Sequence, residues 1–167
     1  SVGLGTPPMP GLCFDVGEAD RQAARAALHE AGCPPARPYV VVHPGATAAS
    51  RRYPAAAFGR AAARLARAGW ACVFCGSPEE TPLVQAAREA MRIEGLTHPC
   101  DVAFGGRVEQ GYDLTGRLSL GVLAALIEGA ELLVANNSAP AHIASALGTP
   151  VVCLYALTNP QHVPWGT

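Results

Sequence analysis

The sequence predicts an α/β domain in which a parallel sheet is flanked by helices. Three observations lead to this fold class. Short β-branched runs alternate with amphipathic segments of helical length, as in successive β–α–β units. Half of the 167 residues are apolar, enough for one domain with a buried core. Glycine, proline and serine punctuate the periodic segments, as at the ends of strands and helices. We therefore expect a Rossmann-like sheet.

From Tyr39 onward the predicted elements follow in a regular order. Strands are predicted where short apolar runs end in turn residues, at 39–43, 70–75, 132–135 and 150–155. Helices are predicted where apolar residues recur at helical spacing, at 54–68, 77–91, 120–128 and 138–147. Ser77 and Glu80 have the spacing of a capping box, Ser138 is placed to cap a helix, and Pro140 suits that helix's first turn.

Residues 1–38 precede this regular part. Their first dozen residues are rich in glycine and proline, a helix is predicted over 20–31, and Gly32, Pro34 and Pro35 end it. We interpret 1–38 as a linker and short helix from an interdomain region, and 39–167 as the domain itself.

Composition excludes several function classes. The net charge is -1 and the isoelectric point is near 6.5, which gives no electrostatic reason to expect nucleic acid or an anionic membrane as a partner. No apolar run approaches the roughly 20 residues that span a bilayer. The first ten residues lack the pattern of a signal peptide, so a cytoplasmic location is expected.

Cys72 and Cys75 have the C-x-x-C spacing found in metal and redox sites. They lie in a predicted strand, however, where residues three apart point to opposite faces and do not easily share a metal. We expect buried, reduced cysteines and no metal site.

Ligands of open parallel sheets bind at the carboxyl ends of the strands, so the loops there are the candidate site. In the loop 43–54, Gly45 can let the backbone approach a ligand, while Arg51 and Arg52 can hold a diphosphate or form a solvated pair. The loop 135–144 leads into a helix whose amino end is a natural phosphate site. The alternative interpretation is a capped helix without a ligand, whose histidine lies in the core or on the surface.

Two further loops carry weaker signals. Glu80 is explained equally well as a ligand contact or as the capping partner of Ser77. The segment 158–160 (TNP) is too short to indicate anything alone. The phosphate loop and the dinucleotide fingerprint are missing, which disfavours a nucleotidase and an ordinary dehydrogenase. The G-x-S-x-G elbow and the H-E-x-x-H motif are missing as well.

Read together, the loop motifs resemble glycosyltransferase family 9, the ADP-heptose:lipopolysaccharide heptosyltransferases. The resemblance covers roughly residues 39–164, with agreement in both order and spacing. The motifs are HPGA at 43–46, RRYP at 51–54, GSPEE at 76–80, DLTG at 113–116 and NNSAPAH at 136–142, continuing to GTP at 148–150.

The resemblance implies a fold, a reaction and a set of contacts. The chain would be the C-terminal, donor-binding half (39–167) of an inverting GT-B enzyme that transfers heptose from ADP-heptose to the lipopolysaccharide inner core. No cofactor or metal is implied, and the general base is expected in the N-terminal domain, so no catalytic residue is expected in this chain. The implied donor contacts are Thr47, Arg51, Glu80, Asn137, Ser138, Ala139 and His142.

The acceptor would bind mainly through the other domain, and peripheral association of the full enzyme with the inner face of the inner membrane stays open. Three positions depart from the family pattern: Asn137 replaces aspartate, Ala139 replaces glycine and Arg51 replaces lysine. Ala139 adds a methyl group where backbone would approach phosphate. The alternatives are another GT-B nucleotide-sugar enzyme of the epimerase kind, a non-catalytic nucleotide-binding module, and, least favoured, a dinucleotide-dependent oxidoreductase.

Overall fold

The computed structural model describes residues 14–97 and 111–156. Within these ranges the strands are β1 (Tyr39–His43), β2 (Ala71–Phe74), β3 (Tyr112–Asp113), β4 (Leu132–Asn136) and β5 (Val151–Leu154). The α-helices are α1 (Glu18–Glu30), α2 (Ala55–Arg67), α3 (Thr81–Thr97), α4 (Leu120–Glu128) and α5 (Ala139–Leu147). Two short 3-10 helices, Ala49–Arg51 and Pro78–Glu80, precede α2 and α3.

All five strands form one parallel sheet in the order β3-β2-β1-β4-β5. Val41 of β1 pairs with Val73 of β2 on one side and with Leu133 of β4 on the other. The strand order therefore reverses between β1 and β4, and the loops that leave these two strands diverge to form a crevice. The predicted fold class, a Rossmann-like parallel sheet flanked by helices, is confirmed.

The core lies in two layers because successive side chains of a strand point to opposite faces. Val40 and Val42 pack with Phe58 of α2 and Met91 of α3 on one face. Val41 packs on the other face with residues of α1, α4 and α5. Both faces of β1 are thus buried, as the continuous apolar run predicts for a central parallel strand.

Helix α1 belongs to the second of these layers. Ala24 of α1 and Val16 just before it are buried in the same cluster as α4. The Arg21 guanidinium also donates to the Glu128 carboxylate at the end of α4, at 2.7 Å from Nε. Residues 14–33 are therefore packed on the sheet, whereas an interdomain origin of 1–38 stays a prediction.

Most predicted elements match the observed ones closely, and the differences have physical reasons. The predicted strand 39–43 and helix 120–128 have the observed bounds, and α3 continues to Thr97, beyond the predicted end at Met91. The strand β3 was not predicted because two residues carry no periodicity.

The two cysteines of the C-x-x-C pair are buried on opposite faces of the sheet, as predicted. Cys72 packs on the α2–α3 side of the sheet and Cys75 on the opposite side. Both thiols are free and buried, and burial raises the pKa of each to about 12. The Cys72 thiol donates to the Ala62 carbonyl at 3.3 Å. Both cysteines are therefore neutral thiols near pH 7.

Among the helices in the described ranges, none has the length and apolar character needed to cross a membrane.

Candidate functional site

A cleft of about 360 Å³ opens at the carboxyl ends of β1, β2 and β4. It lies beside the reversal of strand order, where ligands of this fold class bind. Its lining residues are His43, Ala46, Thr47, Gly76, Ser77, Glu80, Leu118, Ser119, Leu120, Leu123, Ser138, Ala139 and Pro140. One wall is apolar, formed by the leucines around the start of α4, and the rest is mainly polar.

Three helical segments begin at the cleft, each preceded by a serine that lines it. These serines are Ser77 before the 3-10 turn and α3, Ser119 before α4, and Ser138 before α5. Helix N-termini carry partial positive charge and unpaired N–H groups, so several of them around one cleft favour an anion.

The three helix starts differ in how their N–H groups are capped. Ser119 accepts a hydrogen bond from the Val122 N–H at 3.3 Å. The Ser138 hydroxyl instead donates to the Asn136 carbonyl at 3.1 Å and does not cap α5. The predicted side-chain cap at Ser138 is therefore wrong. The first turn of α5, with Pro140 where it was predicted, presents its N-terminus to the cleft without a side-chain cap.

The Glu80 carboxylate is held against the floor of the cleft. Its Oε2 accepts from the Ser77 N–H at 2.9 Å, the predicted capping interaction, and lies 3.6 Å from His43 Nε2. A Cβ added to Gly45 would lie 2.1 Å from Glu80 Oε1. Gly45 therefore makes room for this carboxylate, where the sequence indicated an approach of backbone to ligand.

His43 is buried at the end of β1 and faces the cleft. Burial lowers the pKa of its imidazole below the ordinary value, while the neighbouring Glu80 carboxylate acts in the opposite direction. Desolvation is the larger effect, so we expect a neutral imidazole near pH 7. Glu80 is then a negative charge that this histidine does not neutralise.

The two arginines of the β1–α2 loop have different environments. Arg52 donates from Nε to the Ala46 carbonyl at 2.7 Å, so it holds the loop that carries Thr47. The Arg51 guanidinium makes no hydrogen bond or ion pair with any residue of the described ranges. Of the pair, Arg51 is therefore the one available to an incoming anion.

Asn136, the last residue of β4, and Asn137, which follows it, are both buried but differ in their hydrogen bonds. Asn136 donates from Nδ2 to the Pro44 carbonyl at 2.7 Å and accepts from the Tyr53 N–H at 2.9 Å through Oδ1. Asn137 is 2% exposed, and within 14–97 and 111–156 its Nδ2 has no hydrogen-bond partner. A buried amide donor without a partner costs free energy, so a ligand acceptor there would relieve that cost.

The structure places four of the predicted contacts in the wall of the cleft, namely Thr47, Glu80, Ser138 and Ala139. The other three, Arg51, Asn137 and His142, do not line it. Arg51 ends the 3-10 turn after Thr47, Asn137 is buried between β4 and α5, and His142 is exposed on α5.

Sequence reasoning did not name Ser119 or the leucines at 118, 120 and 123 as site residues. The sequence signal that could have identified them is Ser119, the serine that directly precedes α4 after the DLTG motif. That motif forms a turn in which the Gly116 N–H donates to the Gly76 carbonyl at 2.9 Å. This bond joins the α4 side of the cleft to the loop after β2. The segment 158–160 lies outside the described residues.

No group of three His, Cys, Asp or Glu side chains among the described residues is arranged to hold a metal ion.

Comparison with known proteins assigns the chain to a family. The family model of glycosyltransferase family 9 (heptosyltransferase) matches residues 6–166. This chain belongs to glycosyltransferase family 9. The predicted family resemblance is confirmed, with a match over nearly the whole sequence.

Individual relatives agree with this assignment. The chain is 30% identical over 129 residues to lipooligosaccharide heptosyltransferase 2 of Haemophilus influenzae, a match that covers 77% of this chain and 34% of the relative. The chain thus spans about a third of the length of this curated relative.

Solved structures share the fold. The glycosyl transferase family 9 protein of Veillonella parvula superimposes with a TM-score of 0.75 at 26% identity, over 94% of this chain and 41% of that one. Escherichia coli heptosyltransferase WaaC, solved with ADP, gives a TM-score of 0.52 at 19% identity, over 73% of this chain and 35% of that chain.

Proposed function

We propose that this chain is the donor-binding domain of an inverting glycosyltransferase that transfers heptose from ADP-heptose to the lipopolysaccharide inner core. Family membership supports the reaction class, and the ADP in the WaaC structure supports the nucleotide. The acceptor would be held mainly by a second domain, and the full enzyme would work in the cytoplasm at the inner face of the inner membrane. No metal or cofactor is needed in this proposal.

The observation that carries the proposal is the convergence of three serine-led helix starts on one cleft. A diphosphate near the α5 N-terminus would meet the partial positive charge of that helix end and the Ala139 N–H, since Pro140 has no N–H and the Ala141 N–H already donates to the Ser138 carbonyl at 3.0 Å. The guanidinium of Arg51, which has no partner among the described residues, would supply a full positive charge from the neighbouring loop. His142, exposed on α5, would add a further contact to the anion.

Glu80 and Asn137 would bind neutral parts of the donor. Glu80 Oε2 is already engaged by the Ser77 N–H, which leaves Oε1 to accept from a hydroxyl of the nucleoside. The Nδ2 of Asn137, which has no partner in 14–97 or 111–156, would donate to an acceptor atom of the donor after a local rearrangement, because Asn137 is 2% exposed and does not line the cleft. Thr47 adds an exposed hydroxyl at the rim of the cleft, and Ala139 adds a backbone N–H.

These groups explain how the domain would promote transfer. An acceptor hydroxyl attacks the anomeric carbon as the bond to the diphosphate breaks, and the configuration inverts. Negative charge collects on the departing ADP, where the α5 N-terminus and Arg51 would stabilise it more strongly than in the ground state. The base that removes the hydroxyl proton would come from the second domain.

The proposal is tested by isothermal titration of the chain with ADP, using UDP and GDP as competitors for selectivity. We expect ADP to bind most tightly and Arg51→Ala to weaken it by about ten-fold, the usual scale for one charged hydrogen-bonding group. Arg60→Ala is the matched control, since it removes an equal charge from the exposed face of α2.

Three outcomes decide the matter. Loss of affinity in Arg51→Ala but not in Arg60→Ala supports the donor site. Equal losses in both variants mean that only net charge matters. Absence of binding to all three nucleotides in the wild-type chain would refute this cleft as a donor site and favour a non-catalytic role.

A further inference from the structure

Asn136 makes two side-chain hydrogen bonds that join three separate parts of the site. It ends β4 and is fully buried. Its Nδ2 donates to the Pro44 carbonyl at the end of β1, at 2.7 Å, and its Oδ1 accepts from the Tyr53 N–H just before α2, at 2.9 Å. We call these two hydrogen bonds the Asn136 bridge.

The two partners fix both the orientation and the identity of this side chain. The Pro44 carbonyl can only accept and the Tyr53 N–H can only donate, so the residue at 136 must offer one donor and one acceptor. A carboxylate has no donor, and a leucine, which has the same branching, has neither group. An asparagine amide satisfies both, which accounts for an asparagine inside an otherwise apolar strand end.

The bridge encloses the loop that bears two of the proposed donor contacts. Pro44 and Tyr53 lie at the two ends of this loop, and Thr47 and Arg51 lie between them. Within the loop, Arg52 donates to the Ala46 carbonyl at 2.7 Å, which ties its middle to its end. The loop is therefore bonded internally by Arg52 and anchored to β4 by Asn136.

Asn136 is also connected to the opposite wall of the cleft. The Ser138 hydroxyl donates to the Asn136 backbone carbonyl at 3.1 Å, two residues before α5 begins. One residue thus contacts both the loop of Arg51 and the start of α5, the two groups proposed to hold the diphosphate. Its position sets the separation between them.

We infer that Asn136 is a positioning residue for donor binding, which holds the loop of Thr47 and Arg51 in register with the N-terminus of α5. This inference rests on the proposed function and deepens it. Asn136 need not touch the donor, because its side chain is fully buried and does not line the cleft. Loss of this register would move the Arg51 guanidinium and the α5 N-terminus out of the arrangement in which both contact one diphosphate, so it should be visible in affinity.

The test compares Asn136→Leu with Thr149→Val in the 167-residue chain. Asn136→Leu removes both bonds and keeps the branching and the number of side-chain heavy atoms, although its methyl groups take up more space. Thr149→Val is the matched control, because the Thr149 hydroxyl is buried and donates to the Ile127 carbonyl at 3.1 Å, at the far end of α5. If the leucine variant does not fold, Asn136→Ala removes the same bonds without adding a branched side chain.

Three quantities are measured for each protein: the ADP dissociation constant, the thermal midpoint, and the exchange rate of the Tyr53 amide proton by NMR. We expect Asn136→Leu to bind ADP at least about ten-fold more weakly and to lose protection at Tyr53. We expect Thr149→Val to lower the thermal midpoint while binding ADP as the wild type does.

The outcomes separate the two proposals. If the wild type and Asn136→Leu bind ADP equally although Tyr53 has lost its protection, the positioning role is wrong and the donor site stands. If affinity falls in Thr149→Val as much as in Asn136→Leu, the effect is general destabilisation and the inference is overturned. If the wild type binds no nucleotide, the proposed function fails, and the positioning role fails with it.

Discussion

Replacement of Gly45 by alanine tests how the floor of the cleft is built. The added Cβ would lie 2.1 Å from Glu80 Oε1, and ordinary contact begins near 3.4 Å, so the carboxylate must retreat by about 1.3 Å. A shift of that size is not compatible with the 2.9 Å hydrogen bond from the Ser77 N–H. We therefore expect Gly45→Ala to break the capping interaction.

The magnitude follows from two opposing effects. Loss of a capping hydrogen bond typically costs about 1 kcal/mol. Glycine-to-alanine replacement itself stabilises by about 0.4–1 kcal/mol through the unfolded chain where the backbone conformation allows it, and Gly45 is not among the described glycines with positive φ. In the wild-type background the two effects nearly cancel. In a Glu80→Ala background only the stabilising effect remains.

A double-mutant cycle in urea denaturation measures the difference. We expect Gly45→Ala to leave the unfolding free energy nearly unchanged in the wild type and to raise it in the Glu80→Ala background. The two effects should differ by about 1 kcal/mol, a coupling energy normal for residues in contact. Equal effects of Gly45→Ala in both backgrounds would show that Glu80 does not occupy the space beside Gly45, and the description of the cleft floor would be wrong.

Three further predictions concern packing, thiol reactivity and pH. Gly59→Ala should lower the unfolding free energy by about 2 kcal/mol in urea denaturation, because the new Cβ would lie 2.0 Å from the Ala87 carbonyl oxygen between α2 and α3; a stabilised variant would refute this helix contact. Cys72 and Cys75 should resist iodoacetamide at about pH 8 in the folded chain and react in urea, as read by peptide mass spectrometry, because burial raises the pKa of both thiols to about 12; rapid labelling of either in the folded chain would contradict their burial. Burial lowers the pKa of His43 below its ordinary value of 6.5, so below about pH 6.5 the unfolded chain binds more protons than the folded chain. The free energy of unfolding should therefore be highest above pH 6.5 and should fall as the pH drops from there towards the folded-state pKa. Thermal midpoints between about pH 7 and 5.5 check this, and a His43→Gln variant with an unchanged slope would exclude His43 as the cause.

Local patterns predicted the interactions that are local in sequence. The spacing of Ser77 and Glu80 predicted the capping interaction because both partners lie in one turn. The apolar run at 39–43 predicted a buried strand, because a continuous run of apolar residues indicates burial of both faces whichever segments cover them. At Ser138 the same reasoning placed the helix start correctly, but the hydroxyl donates to the Asn136 carbonyl and does not cap the helix.

Interactions between distant segments could not be predicted in this way. Asn136 bonds to partners 83 and 92 positions away, and nothing in the local sequence shows which loop will come within reach. The space beside Gly45 is filled by Glu80, which belongs to another loop. Family resemblance supplied the candidate contacts, but their separate environments emerge only from the fold: Arg52 is bonded to Ala46, whereas Arg51 has no partner in the part of the chain that the structure describes.

The packing of α1 on α4 decides where this domain can be shortened. A chain that began at Tyr39 would keep every strand and every residue that lines the cleft. It would also uncover the side of α4 that Val16 and Ala24 now cover, and leave Glu128 without its arginine partner. A fresh apolar patch of this kind promotes self-association. Aggregation of such a truncated protein would thus reflect a missing piece of core, and would say nothing about whether the cleft can recognise a nucleotide.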